Sequence, residues 1–494
     1  MDKTIIILPN NLGDVIMTLP LLQGLKEQNP ERNVTFFVEE GYDGGLVESP
    51  FCDHIFRFIR KEIKKQLNDA AWENGCEQLQ WIINQVRENI ELPCEVINLS
   101  QHDYTSYLTA LLHGTKTVGR RFLAEGNHSL PDKWSQYLYA IPFARQCNKL
   151  HATDVYCRIA GVNPGKQNRR IVLSVSEKDN AMRFLQQRGV SSLEERTIVF
   201  QPGAAYASKR WPPEHFIMLG NLLTGEGYRI VITGAPAEKE LAQQIAAGIQ
   251  GNIVVTAGDC SFRKTIALLD SMKCVISGDT ATMHAAAALG KKVVALFGPT
   301  SPVETGPYGE GHIIVAGTCP KRPCFNAVCN DHRCMRSIPP ELVFKCVKEE
   351  VSVNSEAGVF ETSVTGGGYK LKSAGSAYYQ PVTADFVQAV FEENDAGGIT
   401  VDDNDRNESQ LFCAVCSQME NTLEQYLLTR NSVLLSRYEQ YRSSLAGKTG
   451  VTAFWSALLN IRLNSIPLLD PAKGVMGSID AIKQTRQLIS REIA

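Results

Sequence analysis

The sequence predicts an α/β protein in which two sets of alternating strands and helices follow each other along the chain. The first set begins with the apolar run at residues 4–9, and the second restarts near residue 196, where Ile198-Val199-Phe200 leads into Pro202-Gly203. Short β-branched strands that alternate with helical segments are typical of parallel sheets. We therefore expect two Rossmann-like domains with parallel sheets facing a central cleft, which is the default position for a ligand.

The composition changes after the second set. Residues 351–410 are rich in Gly, Ser and Thr and then acidic, which predicts a low-complexity linker. Helical spacing of apolar residues returns in 411–494 and predicts a mainly helical extension. The expected helices of the extension are 411–444, 451–463 and 478–492. The expected domains before the linker are an N-terminal, acceptor-side domain at 1–175 and a C-terminal, nucleotide-binding domain at 176–350.

Composition narrows the class of protein. The net charge of −3 at pH 7 argues against a general nucleic-acid binder. The longest apolar runs last only a few residues, too few to span a membrane, and the N-terminus lacks the apolar region of a secretory signal. Most of the 14 cysteines are scattered singly through apolar segments, which fits a reducing compartment. These features predict a cytoplasmic globular protein that does not bind nucleic acid.

The most informative stretch is residues 275–299. Val275–Ser277 predicts a strand, a turn and an Ala-rich helix follow, and Val293–Phe297 predicts the next strand. Free N–H groups at the start of such a helix, together with its dipole, suit a diphosphate. The candidate ligand-binding residues are Gly278, Asp279, Thr280 and His284. Many strand-turn-helix units of this kind hold no ligand, so the prediction depends on the rest of the chain.

Three charged residues follow other expected strands: Asp14, Lys209 and Glu238. Transfer of a sugar from a nucleoside diphosphate needs a cation for the departing diphosphate, a carboxylate near the acceptor hydroxyl and groups for the ribose. Taken singly, each residue also has a structural explanation, because the two carboxylates can complement helix N-termini and the lysine can be a solvated loop residue.

Five blocks taken together resemble the ADP-heptose lipopolysaccharide heptosyltransferases, which form glycosyltransferase family nine. The blocks are LGDVIMTLPLLQGLK, FQPGAAYASKRWP, TGAPAEKELA, SGDTATMHAAAALGKKVVALFGPTSP and the Cys-rich segment that follows. They span about residues 3–348 and leave 351–494 unexplained. The resemblance implies the GT-B fold and inverting, metal-independent transfer of a heptose from ADP-heptose to a lipopolysaccharide-core-type acceptor.

The resemblance also implies a role for each candidate. Asp14 matches the family's catalytic base, Lys209 its phosphate-binding lysine and Glu238 its ribose-binding acid. Gly278, Asp279, Thr280 and His284 match the loop that binds the nucleotide diphosphate. No cofactor is implied for the transfer itself.

The basic run from Arg57 to Lys65 has two interpretations. It is either a solvated helix face or a surface that binds carboxylates or phosphates of an anionic glycolipid acceptor, or contacts anionic headgroups at the cytoplasmic face of the inner membrane. The implied partners are therefore ADP-heptose, an anionic glycolipid and, peripherally, the inner membrane.

Four cysteines recur every five residues: Cys319, Cys324, Cys329 and Cys334. This spacing differs from the paired ligands of a zinc ribbon, although a similar segment occurs in many members of the resembled family. The alternatives are a structural Zn or Fe site, disulfides or free thiols.

Two other functions remain open at this stage. One is another enzyme of the same fold that uses a different nucleotide sugar, either a transferase or an epimerase. The other is a non-catalytic nucleotide-sugar-binding or assembly protein whose extension recruits a partner.

Overall fold

The structure, a computed structural model, describes most of the chain up to residue 372 and isolated parts beyond it. The described residues are 2–59, 72–89, 94–123, 128–143, 145, 148, 150–165, 171–190, 196–351, 358–365, 368–372, 416–417, 419, 438, 440, 459 and 478–487.

The strands and helices alternate along the chain. The strands are β1 (Lys3–Ile7), β2 (Asn33–Glu39), β3 (His54–Phe58), β4 (Glu95–Asn98), β5 (Lys116–Gly119), β6 (Arg121–Phe122), β7 (His128–Ser129), β8 (Thr197–Gln201), β9 (Arg229–Ile232), β10 (Ile253–Val255), β11 (Cys274–Gly278), β12 (Lys292–Phe297), β13 (Ile313–Ala316), β14 (Val359–Thr365) and β15 (Gly368–Lys372). The helices are α1 (Leu12–Met17), α2 (Leu19–Gln28), α3 (Trp72–Asn89), α4 (Asp103–Leu111), α5 (Lys133–Ala140), α6 (Ala152–Ile159), α7 (Val175–Gln186), α8 (Pro213–Gly225), α9 (Lys239–Gly248), α10 (Phe262–Leu269), α11 (Ala281–Ala288), α12 (Pro302–Thr305), α13 (Arg333–Arg336) and α14 (Pro340–Val347).

The chain divides into two compact units. The first comprises Met1–Leu8, Ile59–Leu150 and Tyr379–Ala494, and the second comprises Pro9–Phe58 and His151–Tyr378. In the first unit β1 pairs with β4 and β4 with β5, all in parallel. The apolar run of β1 is buried, as expected for a strand covered on both faces.

The second unit is built around an eight-stranded sheet. Its strand order is β10-β9-β8-β11-β12-β13-β14-β15. The first six strands are parallel and the last two are antiparallel to their neighbours. Strand order runs outward in opposite directions from β8 and β11, so the switch point at which α/β proteins bind ligands lies at the carboxyl ends of these two strands.

The second unit also contains the early segment with α1, α2 and the parallel pair β2–β3. Helix α1 packs directly against α11 in this unit. The approach is so close that a methyl group placed on Gly13 would lie 3.0 Å from Cδ2 of His284. This packing brings the early loop after Pro9 to the start of α11.

The composition predicts a linker over 351–410, but the structure has two strands within this range, at Val359–Thr365 and Gly368–Lys372. Strands β14 and β15 form a hairpin that extends the sheet next to β13. Val359 and Phe360 are buried there despite the high Gly, Ser and Thr content of the segment. Burial of these side chains against the sheet decides the local structure, which composition alone does not indicate.

The hairpin is attached through a buried carboxylate. Asp154 in α6 accepts hydrogen bonds from the Tyr369 N–H at 2.8 Å and from the Tyr308 hydroxyl at 2.6 Å. Gly368 has φ of +101°, and a methyl group there would lie 2.4 Å from Asp154 Oδ2, so this position requires glycine.

We expect Tyr308→Phe to destabilise the protein by about 1–3 kcal/mol, because it removes a hydrogen bond to a buried carboxylate. The thermal midpoint of unfolding measures the effect. Tyr206→Phe is the matched control, since its side chain is 50% exposed. An equal midpoint for Tyr308→Phe and the wild type would contradict the assignment.

In the C-terminal extension, the described residues 416–417, 419, 438, 440, 459 and 478–487 are all helical. The remaining residues of the three expected helices lie outside the described residues.

Candidate functional site

Three of the expected site residues lie at the carboxyl ends of central strands of the eight-stranded sheet. Lys209 ends a 3-10 turn, Ala207–Lys209, after β8, and Glu238 ends a second turn, Pro236–Glu238, after β9. Asp279 directly follows β11. Parallel strands place their carboxyl ends on one edge, so three segments distant in sequence meet at the switch point.

Lys209 and Asp279 form an ion pair across this edge. Nζ of Lys209 lies 2.8 Å from Oδ2 of Asp279, and the side chains are 19% and 8% exposed. Burial alone would raise the pKa of Asp279, but the Lys209 ammonium and the contact with His284 outweigh it and hold the pKa well below its usual range. The Asp279 carboxylate therefore stays ionised, and the Lys209 side chain is held against it at the end of β11.

The start of α11 offers backbone donors next to this cation. Thr280 is the N-cap, and its hydroxyl bonds to the Ser277 hydroxyl at 2.8 Å instead of capping the first turn. A methyl group on Gly278 would lie 3.2 Å from the Lys209 carbonyl, so glycine lets the lysine loop approach closely. Uncapped N–H groups, the helix dipole and an ammonium group together favour a diphosphate.

His284 is buried in α11, one turn after the N-cap. Its Nε2 atom lies 3.8 Å from Oδ1 of Asp279, so the aspartate faces the lysine with one oxygen and the histidine with the other. The structure thus brings together Lys209, Asp279 and His284.

Asp14 lies in the first turn of α1, partly buried, and within electrostatic range of the same group. Asn11, which adopts φ of +51°, donates from Nδ2 to Oδ2 of Asp14 at 3.0 Å. Burial raises the pKa of Asp14 to about 6, and neighbouring Asp279 adds to the rise, against the opposing effects of Asn11, His284 and Lys209. A carboxylate with this pKa is suited to accept a proton near neutral pH.

Glu238 is held by a small hydrogen-bond network. Its Oε2 atom accepts from Gln201 Nε2 at 3.1 Å and from the Ala235 N–H at 2.8 Å. A methyl group on Gly203 would lie 2.0 Å from this carboxylate, so the glycine after β8 makes room for it. The network leaves Oε1 of Glu238 as an acceptor at the edge of the sheet.

Two further residues of this network, Gln201 and Thr282, were not among the candidates predicted from the sequence. Thr282 in α11 donates to Oε1 of Gln201 at 3.2 Å, so Gln201 joins Glu238 to the helix that carries His284. A sequence signal for Gln201 does exist. It is an amide side chain at the last position of a fully buried strand, where an apolar residue is expected.

The expected metal site at Cys319, Cys324, Cys329 and Cys334 is not supported by the structure. Within the described part of the chain, no group of three or more His, Cys, Asp or Glu side chains is arranged to hold a metal ion. Cys334 lies in the apolar core with Met335, whereas Cys324 is exposed. Burial and the nearby Cys319 and Cys324 thiols raise the pKa of the Cys334 thiol. None of the four cysteines forms a disulfide.

The basic run is described only at its start. Arg57 forms an ion pair with Asp43, with Nη2 2.7 Å from Oδ2. Residues 60–65 lie outside the described residues. Among the described helices, none combines the length and the apolar character that crossing a bilayer requires.

The model of glycosyltransferase family 9 (heptosyltransferase) matches residues 149–334. The lipooligosaccharide heptosyltransferase 2 of Haemophilus influenzae is 26% identical over 324 residues, covering 63% of this chain and 87% of that protein. The lipopolysaccharide heptosyltransferase 2 of Escherichia coli K12 is 35% identical over 124 residues, covering 24% of this chain and 36% of that protein.

Solved structures are similar in fold. A family 9 glycosyl transferase from Veillonella parvula aligns with a TM-score of 0.59 and 23% identity, and the alignment covers 71% of this chain and 97% of that chain. An E. coli heptosyltransferase with ADP-2-deoxy-2-fluoro heptose aligns with a TM-score of 0.51 and 20% identity, covering 71% and 100%. These likenesses confirm the predicted GT-B fold class.

Proposed function

Because the chain belongs to glycosyltransferase family 9 and is a glycosyltransferase, we propose that it transfers a heptose from ADP-heptose to a lipopolysaccharide-core-type acceptor, with inversion and without a metal cofactor. The observation that carries the proposal is the placement of Asp14, with its raised pKa, beside the Lys209–Asp279 pair and the start of α11. A base, a cation and backbone donors then occupy one site, as this transfer requires.

In the proposed reaction, Asp14 accepts the proton of the acceptor hydroxyl while the hydroxyl oxygen forms a bond to the anomeric carbon of the heptose. The bond between that carbon and the diphosphate oxygen breaks on the opposite face, and its electron pair leaves with ADP. Lys209 and the N–H groups at the start of α11 stabilise the departing charge. Because Lys209 already supplies a cation to the diphosphate, the proposal assigns no metal to this step.

The nucleotide is oriented by the network around Glu238. Oε2 is bonded to Gln201 and Ala235, so Oε1 is directed to the ribose hydroxyls in this proposal. His284 and Gly278 complete the diphosphate loop by fixing Asp279 and the Lys209 turn. Residues 176–350 are accordingly proposed as the ADP-sugar-binding domain and 1–175 as the acceptor side, with action at the cytoplasmic face of the inner membrane.

Donor turnover tests the function. The purified chain should release ADP from ADP-heptose in the presence of a heptose-deficient lipopolysaccharide acceptor, and EDTA should not reduce the rate. UDP- and GDP-sugars should give neither product nor thermal stabilisation. Product formation from a UDP- or GDP-sugar would contradict ADP-heptose as the donor. Loss of turnover in EDTA would contradict metal independence.

We expect Gly203→Ala to weaken ADP binding about tenfold or more. The added methyl group displaces the Glu238 carboxylate and breaks hydrogen bonds to a charged group, each worth about 1.5–3 kcal/mol. Calorimetry with ADP measures the change. Gly225→Ala is the matched control, because a methyl group there meets nothing within 4 Å. Equal ADP affinity in the two variants would argue against a role for Glu238 in nucleotide binding.

A further inference from the structure

Arg263, the second residue of α10, connects three segments that are far apart in sequence. Its Nε and Nη2 atoms donate to the two carboxylate oxygens of Glu177 at 2.6 and 2.9 Å. Nη2 also donates to the Val172 carbonyl at 2.7 Å, and Nη1 donates to the Gly44 carbonyl at 3.0 Å. The side chain is only 15% exposed, so these bonds are largely shielded from water.

The bond to Gly44 reaches the 3-10 turn Asp43–Gly45, which packs closely on both sides. A methyl group on Gly44 would lie 3.0 Å from the Phe262 ring of α10, and one on Gly45 would lie 3.0 Å from Cγ1 of Ile16. Ile16 is in α1, two residues after Asp14. A continuous chain of contacts therefore runs from Arg263 through this turn to the helix that carries Asp14.

Helix α1 has little to hold it in place by itself. It has six residues, and its N-cap, Asn11, makes no side-chain capping bond and adopts φ of +51°. Such a short helix is not stable on its own, so its position depends on packing. One side of α1 packs on His284 through Gly13. The other side packs on the Asp43–Gly45 turn, to which Arg263 donates a hydrogen bond.

We propose that Arg263 is a positioning residue that fixes the Asp43–Gly45 turn, and through it α1, so that the Asp14 carboxylate faces the Lys209–Asp279 pair. This role rests on the proposed function, in which Asp14 is the base. The guanidinium suits it because a planar fork binds a carboxylate with two N–H groups and still donates to backbone carbonyls. The adjacent Lys264 points instead to the Phe184 ring, with Nζ 3.7 Å from its centroid.

Displacement of α1 should alter the surroundings of Asp14 in a measurable way. The groups that face Asp14 are Asn11, Lys209, Asp279, His284 of α11 and Tyr156 of α6. Burial among them raises the pKa of Asp14 to about 6. A looser α1 admits water, so the pKa should fall towards the ordinary carboxyl value.

Arg263→Lys and Arg263→Gln test the role in the full-length protein. We expect kcat to fall about tenfold or more, because small displacements of a catalytic group are costly. The ADP dissociation constant should stay within about twofold, since Arg263 contacts none of the nucleotide-binding groups; twofold is about 0.4 kcal/mol. The pH midpoint of kcat/KM should move below about 6.

Hydrogen–deuterium exchange gives a readout that does not depend on activity. Both variants should exchange faster at residues 11–17 and 43–47, while residues 281–288 stay as protected as in the wild type. Arg188→Lys is the matched control. Arg188 also pairs with a carboxylate, with Nη2 3.1 Å from Asp259 Oδ2, but it makes no bond to the Asp43–Gly45 turn. It should leave exchange, kcat and the pH midpoint unchanged.

Unchanged exchange at residues 11–17 in both Arg263 variants overturns the positioning role. An unmoved pH midpoint, or a loss of ADP affinity as large as the loss of kcat, also overturns it. If the wild-type protein does not turn over ADP-heptose, the proposed function fails instead, and the exchange measurement still decides whether Arg263 holds α1.

Discussion

Asp14→Asn should lower kcat by about a hundredfold or more while leaving the ADP dissociation constant within about twofold of wild type. The amide keeps the size of the side chain and can still bond to Asn11, but it cannot accept a proton at neutral pH. ADP binding is unaffected because Lys209, Glu238 and the start of α11 remain in place. Turnover with ADP-heptose and calorimetry with ADP measure the two quantities separately.

The pH dependence of the wild type should agree with this assignment. Burial raises the pKa of Asp14 to about 6, and the base acts in its ionised form, so kcat/KM should rise with pH through about 6 and reach a plateau above it. Asp103→Asn is a suitable control, because Asp103 also lies in the first turn of a helix but is 65% exposed and paired with Arg120. Normal turnover by Asp14→Asn would remove Asp14 as the base.

Lys209→Gln should reduce kcat/KM by about 100- to 1,000-fold, as removal of a group that stabilises transition-state charge typically does. It should also weaken ADP binding, unlike Asp14→Asn. The loss has two parts: the cation for the diphosphate disappears, and the Asp279 carboxylate, only 8% exposed, is left without its counter-charge beside an anionic ligand.

A double variant separates these two parts. Lys209→Gln combined with Asp279→Asn removes the repulsion between Asp279 and the diphosphate, so it should bind ADP more tightly than Lys209→Gln alone. Lys264→Gln is the control for loss of a lysine, since Lys264 packs on Phe184 away from the diphosphate loop. If the double variant binds ADP as weakly as the sum of the single effects predicts, the ion pair has no part in the site.

The strand, turn and helix at residues 274–288 were predictable because their sequence signals are local. Gly278, Asp279 and Thr280 follow a β-branched strand and precede an Ala-rich helix, and the structure has β11 and α11 at these places. The alternation of strands also predicts the parallel core of the sheet, because β8, β11 and β12 are almost continuously apolar and buried on both faces.

Contacts between distant segments were not predictable from local pattern. The bond between Gln201 and Glu238 joins residues 37 apart in the chain, and Arg263 and Gly44 are 219 apart. No periodicity or capping rule encodes such pairs. The hairpin β14–β15 is a related case, since Val359 and Phe360 gain their partners only from the existing sheet.

The cysteine segment shows a different limit. Cys319, Cys324, Cys329 and Cys334 are evenly spaced in the sequence, but a metal site requires that their thiols lie around one point in the fold. In the structure Cys334 follows its helix into the apolar core, while the N–H group of Cys324 bonds to the Pro299 carbonyl. Within the described residues no three of these side chains are arranged to hold a metal ion, although the Cys319 and Cys324 thiols lie close enough to Cys334 to raise its pKa.

In the proposed function, this site transfers a heptose from ADP-heptose with Asp14 as the base. The most direct measurement is mass spectrometry of a heptose-deficient acceptor incubated with ADP-heptose and either wild-type protein or Asp14→Asn, with ADP release followed in the same samples. We expect the wild type to add one heptose to the acceptor as it releases ADP, and Asp14→Asn to do so at least about a hundredfold more slowly. No heptose addition by the wild type, or equal rates for the two proteins, would contradict it.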